Sequence, residues 1–138
     1  MLKSINHIGI AVKNLDASIE TFRKIFSFNE IHRETVESQK VEIASFKVGD
    51  LLIELTAATE ETSPISKFIE KRGEGIHHIA FETDDVSEEL ERLSGKGIQL
   101  INKSATDGAH DMQIAFLHPK STFGVLIELC QKKYDYKL

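Results

Sequence analysis

The spacing of apolar residues along the chain predicts two copies of one β-α-β-β-β module. The first copy has strands at 5–12, 28–36, 41–48 and 51–56 and an amphipathic helix at 16–27. The second copy has strands at 76–83, 98–102, 112–117 and 125–130 and a helix from Val86 to about Gly95. A short helix from Pro64 to Arg72, capped by Ser63, joins the copies. The predicted fold class is therefore α+β, with a mixed sheet.

Two sequence matches support an internal duplication. The segment HIGI at 7–10 recurs as HIAF at 78–81, which is 71 positions later. The segment LLIEL at 51–55 recurs as VLIEL at 125–129, which is 74 positions later. We expect a single domain over 1–138, made of a first module at 1–60, a linker helix at 61–75 and a second module at 76–138.

The duplication places one histidine and one glutamate at matching positions of each module. Each lies alone on its strand face, opposite large aliphatic residues, and small neighbours leave room beside the first histidine. Imidazoles with carboxylates suit a borderline divalent cation such as Zn, Co, Mn, Fe or Ni. The alternative is a buried or exposed polar residue without a ligand, but the repetition favours a metal site. The four residues are His7, Glu54, His78 and Glu128.

Strand alternation predicts the roles of two further residues, His77 and Glu42. His77 faces away from His78 in a regular strand, so we expect it to be structural rather than a ligand. Glu42 shares its strand face with Ala44, and we expect this face to point inward. A carboxylate that is not used as a ligand beside a metal is a candidate general base. Lys120 is either a contact for an anionic group or a solvated lysine.

Composition narrows the possible functions. The net charge of −5 argues against nucleic-acid binding, which needs a basic surface. Cys130 is the single cysteine, so an intrachain disulfide is excluded and a cytoplasmic location is expected. We expect no secretory signal and no membrane span. Dinucleotide and P-loop glycine motifs are absent from the sequence.

Three segments resemble one branch of the vicinal oxygen chelate superfamily, the methylmalonyl-CoA epimerases. They are HIGIAVKNLDASI at 7–19, TSPISKFIEKRGEGIHHIAFE at 62–82 and IAFLHPKSTFGVLIELCQ at 114–131. Members of the superfamily, which includes glyoxalase I and the extradiol dioxygenases, fold as two βαβββ modules. The resemblance implies the same curved, barrel-like mixed sheet around one metal here.

The resemblance also implies an activity and assigns residues to it. The expected reaction interconverts (R)- and (S)-methylmalonyl-CoA by removing and returning the α-proton through a metal-stabilised enolate. One divalent ion per chain, with Co²⁺ favoured over Zn²⁺, Mn²⁺, Ni²⁺ or Fe²⁺, would be held by His7, Glu54, His78 and Glu128. The acid/base pair would be Glu42 and Glu128. The acyl-CoA would contact Lys120 and Ser121, and the protein would be a homodimer.

Two positions depart from the family pattern, and two other functions stay open. Asp111 and Phe123 stand where relatives usually carry glycine, close to the expected substrate loops, and they leave the metal set intact. One alternative is a glyoxalase-like metal lyase or isomerase acting on another α-acidic substrate. The other is a metal-free small-molecule binding protein of the same fold.

Overall fold

The computed structural model describes residues 1–133, and its elements follow the predicted order. The strands are β1 (Leu2–Ala11), β2 (His32–Val36), β3 (Val41–Val48), β4 (Leu51–Ala58), β5 (Gly75–Thr83), β6 (Thr106–Asp107), β7 (Met112–Leu117) and β8 (Ile127–Lys132). The helices are α1 (Leu15–Phe26), α2 (Pro64–Arg72) and α3 (Val86–Gly95), with 3₁₀ turns at Glu37–Gln39 and Pro119–Ser121. Among residues 1–133, no helix has both the length and the apolar composition that a membrane crossing requires.

The chain divides into two compact units. The first unit is His7–His77, and the second joins Met1–Asn6 to the described residues from His78 to Lys133. The elements follow the order β-α-β-β-β twice, with α2 between the two series. The predicted α+β fold with two such modules is therefore confirmed. The start of β1 belongs to the second unit, where the Thr83 hydroxyl donates a hydrogen bond of 3.1 Å to the Met1 carbonyl.

The first unit is a four-stranded mixed sheet in the order β2-β3-β4-β1, with β1 parallel to β4. Helix α1 covers one side of this sheet, which we call the helix face. The α1 helix begins where Asn14 caps it by accepting a hydrogen bond of 2.9 Å from the Ala17 N–H. The buried apolar residues on this face are Val12, Leu15, Ile19, Ala44, Leu55 and Ala57. The side of β1 that carries Ile10 and Val12 therefore packs against α1.

The second unit repeats this arrangement with strand order β5-β8-β7-β6, and β5 is parallel to β8. Helix α3 begins after Asp85, whose side chain caps it by accepting a hydrogen bond of 3.0 Å from the Glu88 N–H. The core on its helix face contains Val86, Leu90, Ala115, Leu117 and Leu129. A second cluster consists of Ala80, Met112, Ile114 and Cys130.

The predicted strand at 98–102 is wrong. Only Leu100 forms an isolated bridge, to Leu117. The side-chain oxygen of Asn102 accepts the Phe116 N–H at 2.8 Å, which takes a donor that a regular neighbouring strand would use. The N–H groups of Ile101 and Asn102 both point to the Phe116 carbonyl. The short strand β6, which follows this segment, pairs with β7 instead.

Glu89 is a buried charged residue that stabilises the second unit. Its side chain is 2% exposed, and Arg92 donates two hydrogen bonds, of 3.0 and 2.7 Å, to one carboxylate oxygen. The amino group of Met1 contacts the other oxygen. Hydrogen bonds from Arg92, and then from Met1, lower the pKa of this carboxyl below its ordinary value of 4.5. Its stabilising contribution is therefore present above pH 4.5 and is lost as the pH falls through the folded-state pKa.

We expect Glu89→Gln to lower the free energy of unfolding at pH 7 by about 1–3 kcal/mol, because charge-assisted hydrogen bonds to a buried group are lost. Urea unfolding at pH 7 and below pH 4 measures this, and the difference from the parent protein should shrink at the lower pH. Glu88→Gln, at an exposed position on the same helix, is the control and should leave stability unchanged. An equal loss in both variants would contradict the assignment.

Candidate metal centre

The first unit places one histidine and one glutamate together on the side of the sheet opposite α1. Glu54 on β4 lies directly beside Gly9 of β1, two residues after His7. Alternation along the strands puts His7, Gly9 and Glu54 on one side, which we call the histidine face. His7 Nε2 lies 3.7 Å from Glu54 Oε2. The two residues are 5% and 6% exposed.

The second unit holds an equivalent pair in the same register. Glu128 on β8 lies beside Ala80 of β5, two residues after His78. His78 Nε2 lies 3.8 Å from Glu128 Oε1, and both residues are 5% exposed. The ring of Phe116 meets the His78 imidazole edge-on, with centroids 5.9 Å apart. The duplication seen in the sequence therefore extends to the side-chain geometry of the pair.

The donor chemistry of each pair fits a divalent cation. Each pair offers an imidazole nitrogen and a carboxylate oxygen, the donors that Zn²⁺, Co²⁺ and similar ions accept. Two metal–ligand bonds of about 2.0–2.2 Å can bridge donor atoms up to roughly 4.2 Å apart. The separations of 3.7 and 3.8 Å fall within that limit. Each pair could therefore supply two ligands to one ion.

The pKa of Glu54 in the first unit also bears on the binding of a cation. Burial, and to a lesser extent the negative charge of Glu34, raise the pKa of Glu54 to about 7. A neighbouring divalent cation favours the ionised carboxylate and would offset this effect. The buried pair is thus compatible with a bound divalent cation, which would favour the ionised form of Glu54.

His77 lies apart from this chemistry, as predicted. Its ring meets the ring of Phe68 on α2 edge-on, with centroids 4.9 Å apart. Burial lowers its pKa to about 4, so the imidazole is neutral at pH 7. A packed, neutral imidazole agrees with the structural role expected from strand alternation.

Glu42 lies on the helix face, so the expectation that it points inward with the ligands is wrong. On the β3–β4 ladder it pairs with Ala57, whereas Ser45 pairs with Glu54. Directly paired residues share a face and successive residues alternate, so Glu42 and Glu54 lie on opposite faces. Its carboxylate accepts a hydrogen bond of 2.7 Å from Arg33, which also contacts Asp16 of α1. The small neighbour Ala44 reflects packing under α1 rather than space for a substrate.

Glu34 is the carboxylate of β2 that shares the histidine face with Glu54. It pairs with Ile43, which in turn pairs with Thr56 of β4. Its side chain is 29% exposed, and Glu34 Oε1 lies 2.8 Å from His32 Nε2. The negative charge of Glu34 is the second cause, after burial, of the raised pKa of Glu54. Sequence reasoning missed Glu34 because its strand is mostly polar. Glu34 shares its strand face with the apolar residue Val36, and this was a usable signal that the face points inward.

The expected substrate-contact residues lie in the 3₁₀ turn before β8. Lys120 is exposed, and its N–H donates a hydrogen bond of 3.1 Å to His118 Nδ1. The Ser121 hydroxyl accepts a hydrogen bond of 2.9 Å from the Gln99 N–H, so it also fixes the preceding loop. Asp111 and Phe123 have φ angles of +54° and +57°, a region that favours glycine, and Phe123 is fully exposed.

Comparisons with known proteins agree with this architecture. The family model of the glyoxalase/bleomycin resistance protein/dioxygenase superfamily matches residues 6–116. The uncharacterized protein YqjC of Bacillus subtilis is 40% identical over 97% of this chain and 96% of its own length. The mitochondrial methylmalonyl-CoA epimerase of Dictyostelium discoideum is 34% identical over 93% of this chain and 78% of its own.

A solved structure gives the same result. A methylmalonyl-CoA epimerase in complex with methylmalonyl-CoA and NH4+ is 37% identical, covers 96% of both chains and has a TM-score of 0.92. The predicted resemblance to these epimerases is therefore confirmed. The match of the family model across most of the chain shows that this protein belongs to the glyoxalase/bleomycin resistance protein/dioxygenase superfamily.

Proposed function

We propose that this protein is a metal-dependent epimerase that interconverts (R)- and (S)-methylmalonyl-CoA. The observation that carries the proposal is the repeated pair, in which a buried histidine and a buried glutamate occupy the same register in both units. Homologues named methylmalonyl-CoA epimerase, similar over nearly the whole chain, support the choice of substrate.

In this proposal both pairs supply ligands to one divalent ion per chain. One histidine and one glutamate leave a typical coordination shell incomplete, whereas two of each complete a four-ligand set. The ligands are His7, Glu54, His78 and Glu128. Co²⁺ is the favoured ion, and Zn²⁺, Mn²⁺, Ni²⁺ or Fe²⁺ would also accept these donors. When bound, such an ion supplies Lewis-acid stabilisation of negative charge on the acyl oxygens.

The chain itself must supply two proton-transfer groups. Inversion at the α-carbon needs one proton removed from one side of the planar enolate and another proton delivered to its opposite side. We assign these steps to Glu128 in the second unit and to Glu34 in the first. Glu34 replaces Glu42 in this role, because Glu42 lies on the helix face and is paired with Arg33.

Glu128 has a second task in this proposal, because it is also a metal ligand. Coordination lowers the basicity of a carboxylate, so one of its two oxygens must stay available for the substrate proton. In the second unit, Phe116 is paired with Glu128 on the neighbouring strand β7. This apolar neighbour helps to keep water away from the carboxylate, which favours proton transfer to the substrate.

The remaining assignments stay predictions. Lys120, which is exposed in the turn before β8, would contact a phosphate of the coenzyme A moiety. Ser121 would support this turn through Gln99 as well as contact the substrate. The single domain with its predicted module boundaries, the homodimer and the cytoplasmic location also stay predictions.

The test is proton–deuterium exchange and epimerisation of methylmalonyl-CoA by protein loaded with Co²⁺. We expect exchange of the α-proton from both stereoisomers and loss of activity after treatment with a chelator. A panel of other acyl-CoA thioesters runs in parallel. Turnover of another α-acidic substrate without epimerisation would favour the glyoxalase-like alternative. Purified protein without stoichiometric metal or turnover would favour a binding protein.

A further inference from the structure

Thr56 on β4 has a buried hydroxyl group that makes no hydrogen bond within the described residues. The residue is 4% exposed. Buried hydroxyl groups in folded proteins nearly always have a partner, because leaving one unpaired costs free energy. The Thr56 backbone carbonyl does have a partner, since it accepts a hydrogen bond of 2.9 Å from the Val12 N–H. Only the side chain is therefore unexplained.

The hydroxyl belongs to the histidine face of the first unit. Thr56 follows Glu54 by two residues on the same strand, so both side chains point to one side. Its lateral neighbours are Ile43 on β3 and Ala11 on β1, which carry no side-chain polar atom. The Thr56 hydroxyl therefore lies on the histidine face, two residues after the proposed ligand Glu54, where a bound molecule could supply the missing partner.

The duplicated module provides an internal comparison. Cys130 lies two residues after Glu128, as Thr56 lies two residues after Glu54. It pairs with Ile114, just as Thr56 pairs with Ile43. Yet the Cys130 thiol contacts the Phe81 carbonyl at 3.6 Å, so this position is satisfied within the protein. The unpaired donor is therefore specific to the first unit and is not a general property of the module.

We propose that the Thr56 hydroxyl donates a hydrogen bond to a carboxylate oxygen of the acyl group in the bound thioester. This inference rests on the proposed function, because it deepens the recognition of a malonyl-type substrate at the same site. A carboxylate is a charged acceptor and forms a stronger hydrogen bond with a hydroxyl than a neutral carbonyl does. The carboxylate also distinguishes malonyl-type thioesters from simple acyl thioesters. Thr56 is thus a specificity-determining residue.

The experiment compares Thr56→Val with the parent protein, both loaded with Co²⁺. Calorimetric titration measures the affinity for malonyl-CoA and for propionyl-CoA, which lacks the carboxylate. We expect Thr56→Val to weaken malonyl-CoA binding by about tenfold or more, as for loss of a hydrogen bond to a charged group. Propionyl-CoA binding should not change. Without ligand, Thr56→Val should raise the Tm by roughly 2–6 °C, because an unpaired buried hydroxyl is removed.

Thr83→Val is the matched control. Thr83 is 2% exposed, and its hydroxyl donates to the Met1 carbonyl, so this variant should lower the Tm without changing either affinity. Unchanged malonyl-CoA affinity in Thr56→Val would overturn the inference, and equal weakening for both thioesters would overturn the assignment to the carboxylate. Parent protein that neither binds malonyl-CoA nor epimerises methylmalonyl-CoA would overturn the proposed function as well.

Discussion

His78→Ala should yield a folded protein that retains no stoichiometric divalent metal and has lost epimerase activity. The substitution removes one of the four proposed ligands from a buried position beside Glu128. Three remaining ligands bind an ion more weakly, and the activity depends on the Lewis acid that the site would hold. Elemental analysis after dialysis measures the metal content, and circular dichroism checks the fold. We expect activity to fall by about 10²–10³-fold or more.

His77→Leu is the control for this experiment, because it changes the adjacent histidine, which packs against Phe68. This variant should keep its metal, since His77 is not a proposed ligand. Full metal occupancy in His78→Ala would reject the ligand assignment. Loss of metal from His77→Leu but not from His78→Ala would mean that His77, and not His78, is the ligand.

Glu34→Gln should keep its metal and lose exchange of the α-proton for one stereoisomer of methylmalonyl-CoA. The glutamine is nearly isosteric but cannot accept and release a proton at pH 7. General acid–base catalysis contributes about 10²–10⁴-fold, so epimerisation should fall by that factor. Exchange in D₂O followed by mass spectrometry separates the two stereoisomers. Glu34 would act on only one side of the planar enolate. The stereoisomer whose α-proton points to the other side should therefore still exchange through Glu128.

Glu42→Gln is a sharp control, since it makes the same chemical change on the helix face of the first unit. Its ion pair with Arg33 is partly exposed, so its loss should change stability by less than about 1 kcal/mol and activity by less than about twofold. The opposite pattern, with exchange lost in Glu42→Gln and kept in Glu34→Gln, would restore Glu42 as the base. Normal exchange of both stereoisomers in both variants would reject either glutamate as the base.

The alternation of β3 could be predicted from the sequence, but the face that carries Glu42 was wrongly expected to point toward the metal ligands. Alternation separates Glu42 from Ser45 without saying which of them faces the ligands. The turn at Gly49-Asp50 contained the missing information. A two-residue turn pairs Val48 with Leu51 and therefore pairs Ser45 with Glu54, as observed. Since Glu54 was already a proposed ligand, this register would have placed Glu42 on the other side.

Other parts of the structure depended on contacts that a local pattern does not contain. The segment at 98–102 has the apolar content of a strand, but Asn102 replaces a ladder hydrogen bond with one from its side chain. The ligand pairs, in contrast, could be proposed from sequence because the duplication repeats both the residue types and their spacing. A repeated polar residue within an apolar strand was the strongest signal available.

The division of β1 between the two units has a consequence for the order in which the protein folds during synthesis. The Thr83 hydroxyl contacts a carbonyl 82 residues earlier in the chain, and Glu89 contacts an amino group 88 residues earlier. The residues at the start of β1 are therefore synthesised long before the partners that they contact. Such long-range contacts slow folding, because the intervening chain must be closed before they form. A nascent chain ending near residue 75 would have the elements of the first module, but its first six residues would still lack these partners.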